Sequence, residues 1–243
     1  MNKGNPYELV FQAFVTWFGG KVLPEAADGK TADYLFESHN VIAELKTMLN
    51  DSTAEIDAKV LAIVQDWRKK TGKYPTSHYE DNKRIFEIKN MPEEIAGKWH
   101  KILIASVEHN IGEANRQIRE TKRRENRPDA KGLVLIHNPR NPYFNDPHSY
   151  EQLIVHVLRK KKEDKTLRFP HLHGAVYFSS NDIMTRDGDM YFWNALQMNR
   201  DGVSSEVQAF QNELRQGWYA FIKETYGVTV RQHDTDGNRV DIL

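Results

Sequence analysis

The chain predicts an α/β protein folded as a single compact domain over residues 1–243. Helical-period and strand-like segments alternate along most of its length, and no repeat, low-complexity tract or clear linker divides it. Its 243 residues suit one domain of above-average size, or a core that carries insertions.

Asn5 and Pro6 precede Leu9, Phe11, Phe14, Val15 and Phe18 at helical spacing, and Gly19-Gly20 ends the pattern, so residues 6–18 predict a helix. ADYLFE at 32–37 and VIAELK at 41–46 alternate like strands and predict a β-hairpin across Ser38, His39 and Asn40. A helix follows from Ser52, where Glu55 completes a capping box and Ile56, Val60, Ile63, Val64 and Trp67 share a face up to Gly72. Residues 73–92 are polar apart from the strand-like RIFEIK, so residues 48–97 predict a largely helical insertion between core elements. Trp99, Ile102, Leu103 and Val107 open another helical pattern, and two courses stay open for it: continuation into the basic segment Gln117–Arg124, or a break at Gly112. KGLVLIH at 131–137 predicts a buried strand. Beyond residue 142 come a capped helix from Ser149, a strand at 173–179 and a helix from Ser205 to Tyr226, ended by Gly227. Phe210, Trp218 and Phe221 on the last helix predict core packing.

Composition excludes several kinds of chemistry. With no cysteine there is no disulfide framework, thiolate nucleophile or sulfur-ligated metal site, which leaves carboxylates and histidines as metal ligands. No apolar run approaches the roughly 18 residues that span a bilayer, and MNKGNPYE lacks a signal peptide's layout. A cytoplasmic protein with no membrane association is expected. The 34 basic and 34 acidic residues balance, yet residues 116–131 carry seven basic against three acidic side chains. Any polyanion site is therefore local.

The chemistry concentrates on the hairpin. A two-residue turn at His39-Asn40 would pair Ser38 with Val41 and Asp33 with Lys46. Tyr34, Phe36, Val41, Ala43 and Leu45 then share an apolar face, and Asp33, Glu44 and Lys46 share the other. Slipping the register by one residue would turn Asp33 onto the apolar face. Two carboxylates on neighbouring strands, about 4.8 Å apart, suit Mg²⁺, which takes few protein oxygens and keeps several waters. Lys46 beside them would orient a water or stabilise negative charge developing on a phosphate.

Asp33, ten intervening residues and then Glu44-Leu45-Lys46 on an apolar strand resemble the PD-(D/E)XK nuclease superfamily, with its restriction-endonuclease-like fold. The order of elements is similar too: a leading helix with an acidic residue, the hairpin, a helix and an apolar strand. The resemblance covers 6–46 and 99–137, about a third of the chain. It implies a mixed central sheet flanked by helices, with the insertion at 48–97 and a C-terminal α/β extension at 142–243. It also implies a Mg²⁺-dependent DNA endonuclease, with Mn²⁺ as substitute, of restriction or host-defence type. Asp33 and Glu44 would be metal ligands, Lys46 the catalytic lysine, Glu8 a further acidic ligand on the first helix, and Gln117 a polar residue that assists the site. Ala32 stands where the motif's name has proline.

The triplet E-x-K recurs at Glu87, Glu120 and Glu163. Glu120 falls in a helix and Glu163 in a solvated charge run, so Glu87 in RIFEIK is the rival. If the nuclease resemblance holds, Arg116, Arg119, Lys122 and Arg123 adjoin the site and would contact DNA phosphates, making binding salt-dependent. Base readout would fall to the insertion or to the polar loop at 137–149. Cutting both strands would favour a homodimer. Two alternatives stand beside this: a non-catalytic nucleic-acid-binding or assembly protein, and a metalloenzyme ligated by His171 and His173 among the five histidines from His137 to His173.

Overall fold

The computed structural model describes residues 6–25, 31–48, 51–75, 77–80, 83–86, 91–138, 147–179, 184–186, 189–191, 195–227, 231–233 and 239–241. In chain order the elements are α1 (Pro6–Trp17), β1 (Lys21–Val22), β2 (Tyr34–Phe36), β3 (Val41–Thr47), α2 (Asp51–Thr71), β4 (Ser77–Glu80), β5 (Lys83–Phe86) and α3 (Glu93–Arg124). There follow β6 (Lys131–Asn138), α4 (Pro147–Leu158), β7 (Gly174–Ser179), β8 (Met184–Arg186), β9 (Asp189–Tyr191), β10 (Leu196–Asn199), α5 (Ser205–Tyr226), β11 (Arg231–His233) and β12 (Arg239–Asp241).

Six strands form a mixed sheet in the order β1-β2-β3-β6-β7-β10, and three two-stranded hairpins, β4-β5, β8-β9 and β11-β12, stand apart from it. β3, β6 and β7 run parallel at the centre, with antiparallel partners on both sides. A strand paired on both edges and covered on both faces must be apolar throughout. In β6, Leu133 to Ile136 are accordingly all buried.

Helices cover each face. Residues of α2, α3 and α4 pack with Leu35, Ile42, Val134 and Tyr177, while α1 and α5 pack with Tyr34, Phe36, Ala43, Leu135 and Phe178. The hairpin's apolar face is therefore the one expected, but its other face is covered as well, by α3. On the α1–α5 side, Phe11 stacks on Trp218 at 4.8 Å between centroids and Phe36 meets Phe210 edge-on at 5.1 Å. Phe210, Trp218 and Phe221 are core residues, as their spacing predicts.

Two expectations about local structure change. The hairpin connection is not a two-residue turn: residues 37–39 make a 3-10 turn and Asn40 closes it in the left-handed region at φ 50°. Asn tolerates that conformation better than most side chains. The first strand gives two more residues, Glu37 and Ser38, to the connection, so Tyr34 faces Ala43 and Phe36 faces Val41. Continuing that register sets Asp33 opposite Glu44 rather than Lys46. A shift of two residues keeps every side chain on its face, so the grouping of Asp33, Glu44 and Lys46 survives. The second change is in α3, which starts at Glu93, inside the stretch expected as an insertion, and takes the continuous course through Gly112 for 32 residues. Its buried stripe from Ile95 to Ile118 holds it on the sheet, and that packing outweighs one glycine's poor helix propensity.

Residues beyond 142 complete the same sheet: β7 pairs with β6, β10 with β7, and α5 shares a layer with α1. No helix among the described residues is long and apolar enough to cross a membrane.

Candidate functional site

Asp33, Glu44 and Lys46 come together beneath α3. Asp33 precedes β2, and its carboxylate Oδ2 accepts the backbone N–H of Leu45 at 2.8 Å, which locks it against β3. Glu44, at the middle of β3, is 2% exposed. Its Oε1 lies 2.9 Å from Lys46 Nζ, while its buried Oε2 has no aligned hydrogen-bond donor. Lys46 Nζ also donates to Gln117 Oε1 at 2.9 Å and sits 3.8 Å from Glu113 Oε2. One ammonium thus ties the strand's carboxylate to the helix above.

Burial and mutual repulsion dominate the electrostatics. Burial pushes the Glu44 carboxyl up to about 8, the Asp33 charge adds to this, and Lys46 opposes it. Asp33 is also raised, mainly by burial, with the Leu45 N–H offsetting part of the effect. Glu8 on α1 is raised by burial and then by the Asp33 charge. Without a cation, the two facing carboxylates therefore share a proton around neutral pH.

This donor set fits a hard divalent ion. A buried carboxylate oxygen without a donor, beside a second carboxylate, is stabilised by a cation far better than by a shared proton. Asp33 and Glu44 are the residues that would hold it. Among the described residues no group of three or more His, Asp or Glu that could hold a metal ion is found, and Glu8 is near enough to Asp33 for their charges to repel. Mg²⁺ suits a two-carboxylate site because water completes its shell.

α3 is the scaffold of the site. Thr121 Oγ1 donates to the Gln117 carbonyl at 2.9 Å and accepts the Ala32 N–H at 2.7 Å, pinning the residue before Asp33. Reasoning from the sequence missed Glu113 and Thr121. Both lie four residues from Gln117, on the same helical face, and that spacing is the signal that would have found them.

The basic stretch is arranged differently from the expectation of open phosphate contacts. Arg116 lies 3.8 Å from Glu113, and Arg119 and Arg123 each lie 2.8 Å from Glu120. These three remain exposed but already have carboxylate partners, whereas Lys122 is 7% exposed. Glu87, the rival triplet, and residues 139–146 of the polar loop lie outside the described residues. His173 Nδ1 accepts the Gly132 N–H at 3.0 Å, and burial, followed by the charges of Lys122 and Arg119 at His171 and of Arg200 and Lys122 at His173, lowers the pKa of both imidazoles.

Comparisons with protein families, curated proteins and solved structures find no match for this chain. The fold and site define an α/β protein with a six-stranded mixed sheet and a buried Asp-Glu-Lys cluster on its central hairpin.

Proposed function

We propose that the protein is a metal-dependent phosphodiesterase acting on DNA, an endonuclease with a restriction-endonuclease-like core, as the resemblance to PD-(D/E)XK nucleases implies. One observation carries this: Glu44 is buried against Asp33 with one carboxylate oxygen on Lys46 and the other without a donor. Burying the Glu44 carboxylate beside a partly buried carboxylate and ammonium is costly for stability alone, since replacing such groups by apolar residues is often neutral or stabilising. Two carboxylates and an ammonium held together between the sheet and α3 suit a site that uses them.

In this reading Asp33 and Glu44 hold Mg²⁺, or Mn²⁺ in its place. The bound ion supplies Lewis-acid polarisation of a phosphate oxygen and lowers the pKa of a coordinated water. Lys46 places a positive charge beside the reacting phosphate, where it stabilises charge that develops in the transition state. Gln117 holds the Lys46 ammonium in position at 2.9 Å, with the Glu113 carboxylate 3.8 Å from it. Cutting a duplex with one site per chain calls for two copies, so a cytoplasmic homodimer of restriction or defence type belongs to the same reading.

The test is cleavage of supercoiled, linear and single-stranded DNA with Mg²⁺ or Mn²⁺ by the wild type, Lys46→Ala and Glu87→Ala. Metal-dependent cutting that falls by about a hundredfold or more in Lys46→Ala, but not in Glu87→Ala, is expected. Cutting that persists in EDTA, or that ignores Lys46, overturns it. One second reading is a DNA-binding protein without activity, in which Lys46 with Glu44, Gln117 and Glu113 is a structural ion-pair network tying β3 to α3. Retention of DNA by a folded protein that cuts no substrate would establish it.

A further inference from the structure

The opposite flank of α3 carries a cluster of a different kind. Lys122 follows Ile118 by one helical turn, and Ile118 packs on Gly132 of β6, so Lys122 faces the start of β6 and β7. Arg200 and His173 face each other across β10 and β7, with the Arg200 N–H donating to the His173 carbonyl at 3.3 Å. Their neighbours Met198 and Ala175 belong to the core under α3, which puts both side chains on that same side of the sheet.

Lys122 is set apart from the other cations by its burial. Lys46, Arg116, Arg119, Arg123, Arg159 and Lys160 each have a carboxylate within 4 Å. Among the described residues, Lys122, Lys131 and Arg200 have none. Lys122 is more than nine-tenths buried with no hydrogen-bond partner for its ammonium, and Arg200 donates only to the Pro170 carbonyl at 3.5 Å. Two acidic groups act nearby: Asp129 weakly on Lys122, and Glu120, already held by two arginines, on His171. Burial and the charges of Lys131 and Arg200 push Lys122 down to about 8. Such crowding of like charges is unfavourable in the free protein and is relieved by an anion.

His173 adds a neutral donor. Its Nδ1 accepts the Gly132 N–H at 3.0 Å while its own backbone N–H donates to the Gly132 carbonyl at 2.8 Å, which clamps the ring. With Nδ1 occupied as an acceptor, the neutral imidazole carries its hydrogen on Nε2. An ammonium, a guanidinium and an imidazole N–H thus belong to residues at one end of the sheet, on the side under α3, a donor set suited to the oxygens of a tetrahedral anion.

We propose that Lys122, His173 and Arg200, with His171 and Lys131 at the margin, form a phosphate-binding site separate from the Asp33–Glu44–Lys46 cluster. Terminal phosphate monoesters and the diesters of a polynucleotide share this chemistry. The site does not depend on whether the other cluster cuts DNA.

Calorimetric titration and thermal unfolding of the full chain with sodium phosphate, against sodium chloride at matched ionic strength, test it. Phosphate is expected to raise the wild-type Tm where chloride does not, and Lys122→Gln or Arg200→Gln to weaken phosphate binding about tenfold or more. Phosphate-specific stabilisation that is absent, or equally strong in both variants, overturns the site and leaves Lys122 as a lysine that serves only the negative end of α3. If Lys122→Gln does not fold, the more exposed Arg200→Gln together with His173→Asn decides the matter. Single-stranded oligonucleotides in EDTA separate the sources. An affinity loss in the variants confined to the 5′-phosphorylated strand assigns a terminal phosphate, and an equal loss for the 5′-hydroxyl strand assigns a diester.

Discussion

Glu44 is where one residue governs how the whole chain responds to pH. Its carboxyl is raised from 4.5 to about 8, so between those values the folded protein holds a proton that the unfolded chain has released. Stability therefore falls as pH rises through this window. His137 and His173 are lowered from 6.5 to about 4 by burial and act in the opposite sense, but only below about 6.5. Lys122, lowered to about 8, makes stability rise again from about 8 to 10.5. The interval from pH 6.5 to 8 thus isolates the carboxylate pair. Urea unfolding in EDTA should lose up to about 1.4 kcal/mol per pH unit there. Glu44→Gln, which copies the protonated form, should flatten that slope and be the more stable protein at pH 8. Mg²⁺ competes with the shared proton, so its stabilising effect on the wild type should be greater at pH 8 than at pH 6. A slope that survives Glu44→Gln would assign it to another group.

At the scale of elements, α3 joins the site to the core, and its glycine neighbourhoods sort two substitutions by sign. A Cβ at Gly112 would meet only Phe169, at an ordinary 3.6 Å. Gly112→Ala should therefore stabilise by about 0.5 to 1 kcal/mol through helix propensity. A Cβ at Gly132 would lie 2.1 Å from the His171 carbonyl oxygen, on a strand held by β3 and β7 on either side. Gly132→Ala should cost about 3 kcal/mol or more, and thermal unfolding of the pair shows whether the signs differ. Thr121→Val removes the acceptor for the buried Ala32 N–H and should cost about 1 to 3 kcal/mol. It should also loosen the segment that positions Asp33. The same elements explain what was legible in the sequence. The alternation of β2 and β3 was enough to group Asp33 with Glu44 and Lys46, because face depends only on parity. Register was not legible, because Asn40's left-handed conformation and the 3-10 turn leave no pattern of apolar residues. Continuity of α3 was undecided for a similar reason: a glycine reads locally as a break, while the packing that overrides it comes from Phe169 and the sheet.

Across the whole molecule, the pieces that looked like an extension in sequence are structural partners of the hairpin. β10 was not legible because LQMN is a short, half-buried edge strand without clear alternation, and strand order is a non-local property of the chain. Pairing β7 on β6 and α5 over α1 makes the face opposite the site depend on residues more than 160 positions from β3. Trp218 is the centre of that layer, in contact with Phe11, Phe14, Phe178 and Phe221. Trp218→Ala should cost about 3 to 5 kcal/mol, a large part of the roughly 5 to 15 kcal/mol that holds a typical domain together. A chain cut after Val203 loses α5 entirely and leaves Tyr34, Phe36, Val41 and Phe178 of the sheet face with only the first helical segment as cover. Such a truncated protein should keep secondary structure in far-UV circular dichroism, lose its near-UV signal and bind a hydrophobic dye. Sharp cooperative unfolding of the truncated chain would mean that the hairpin site stands on a smaller unit than this packing implies.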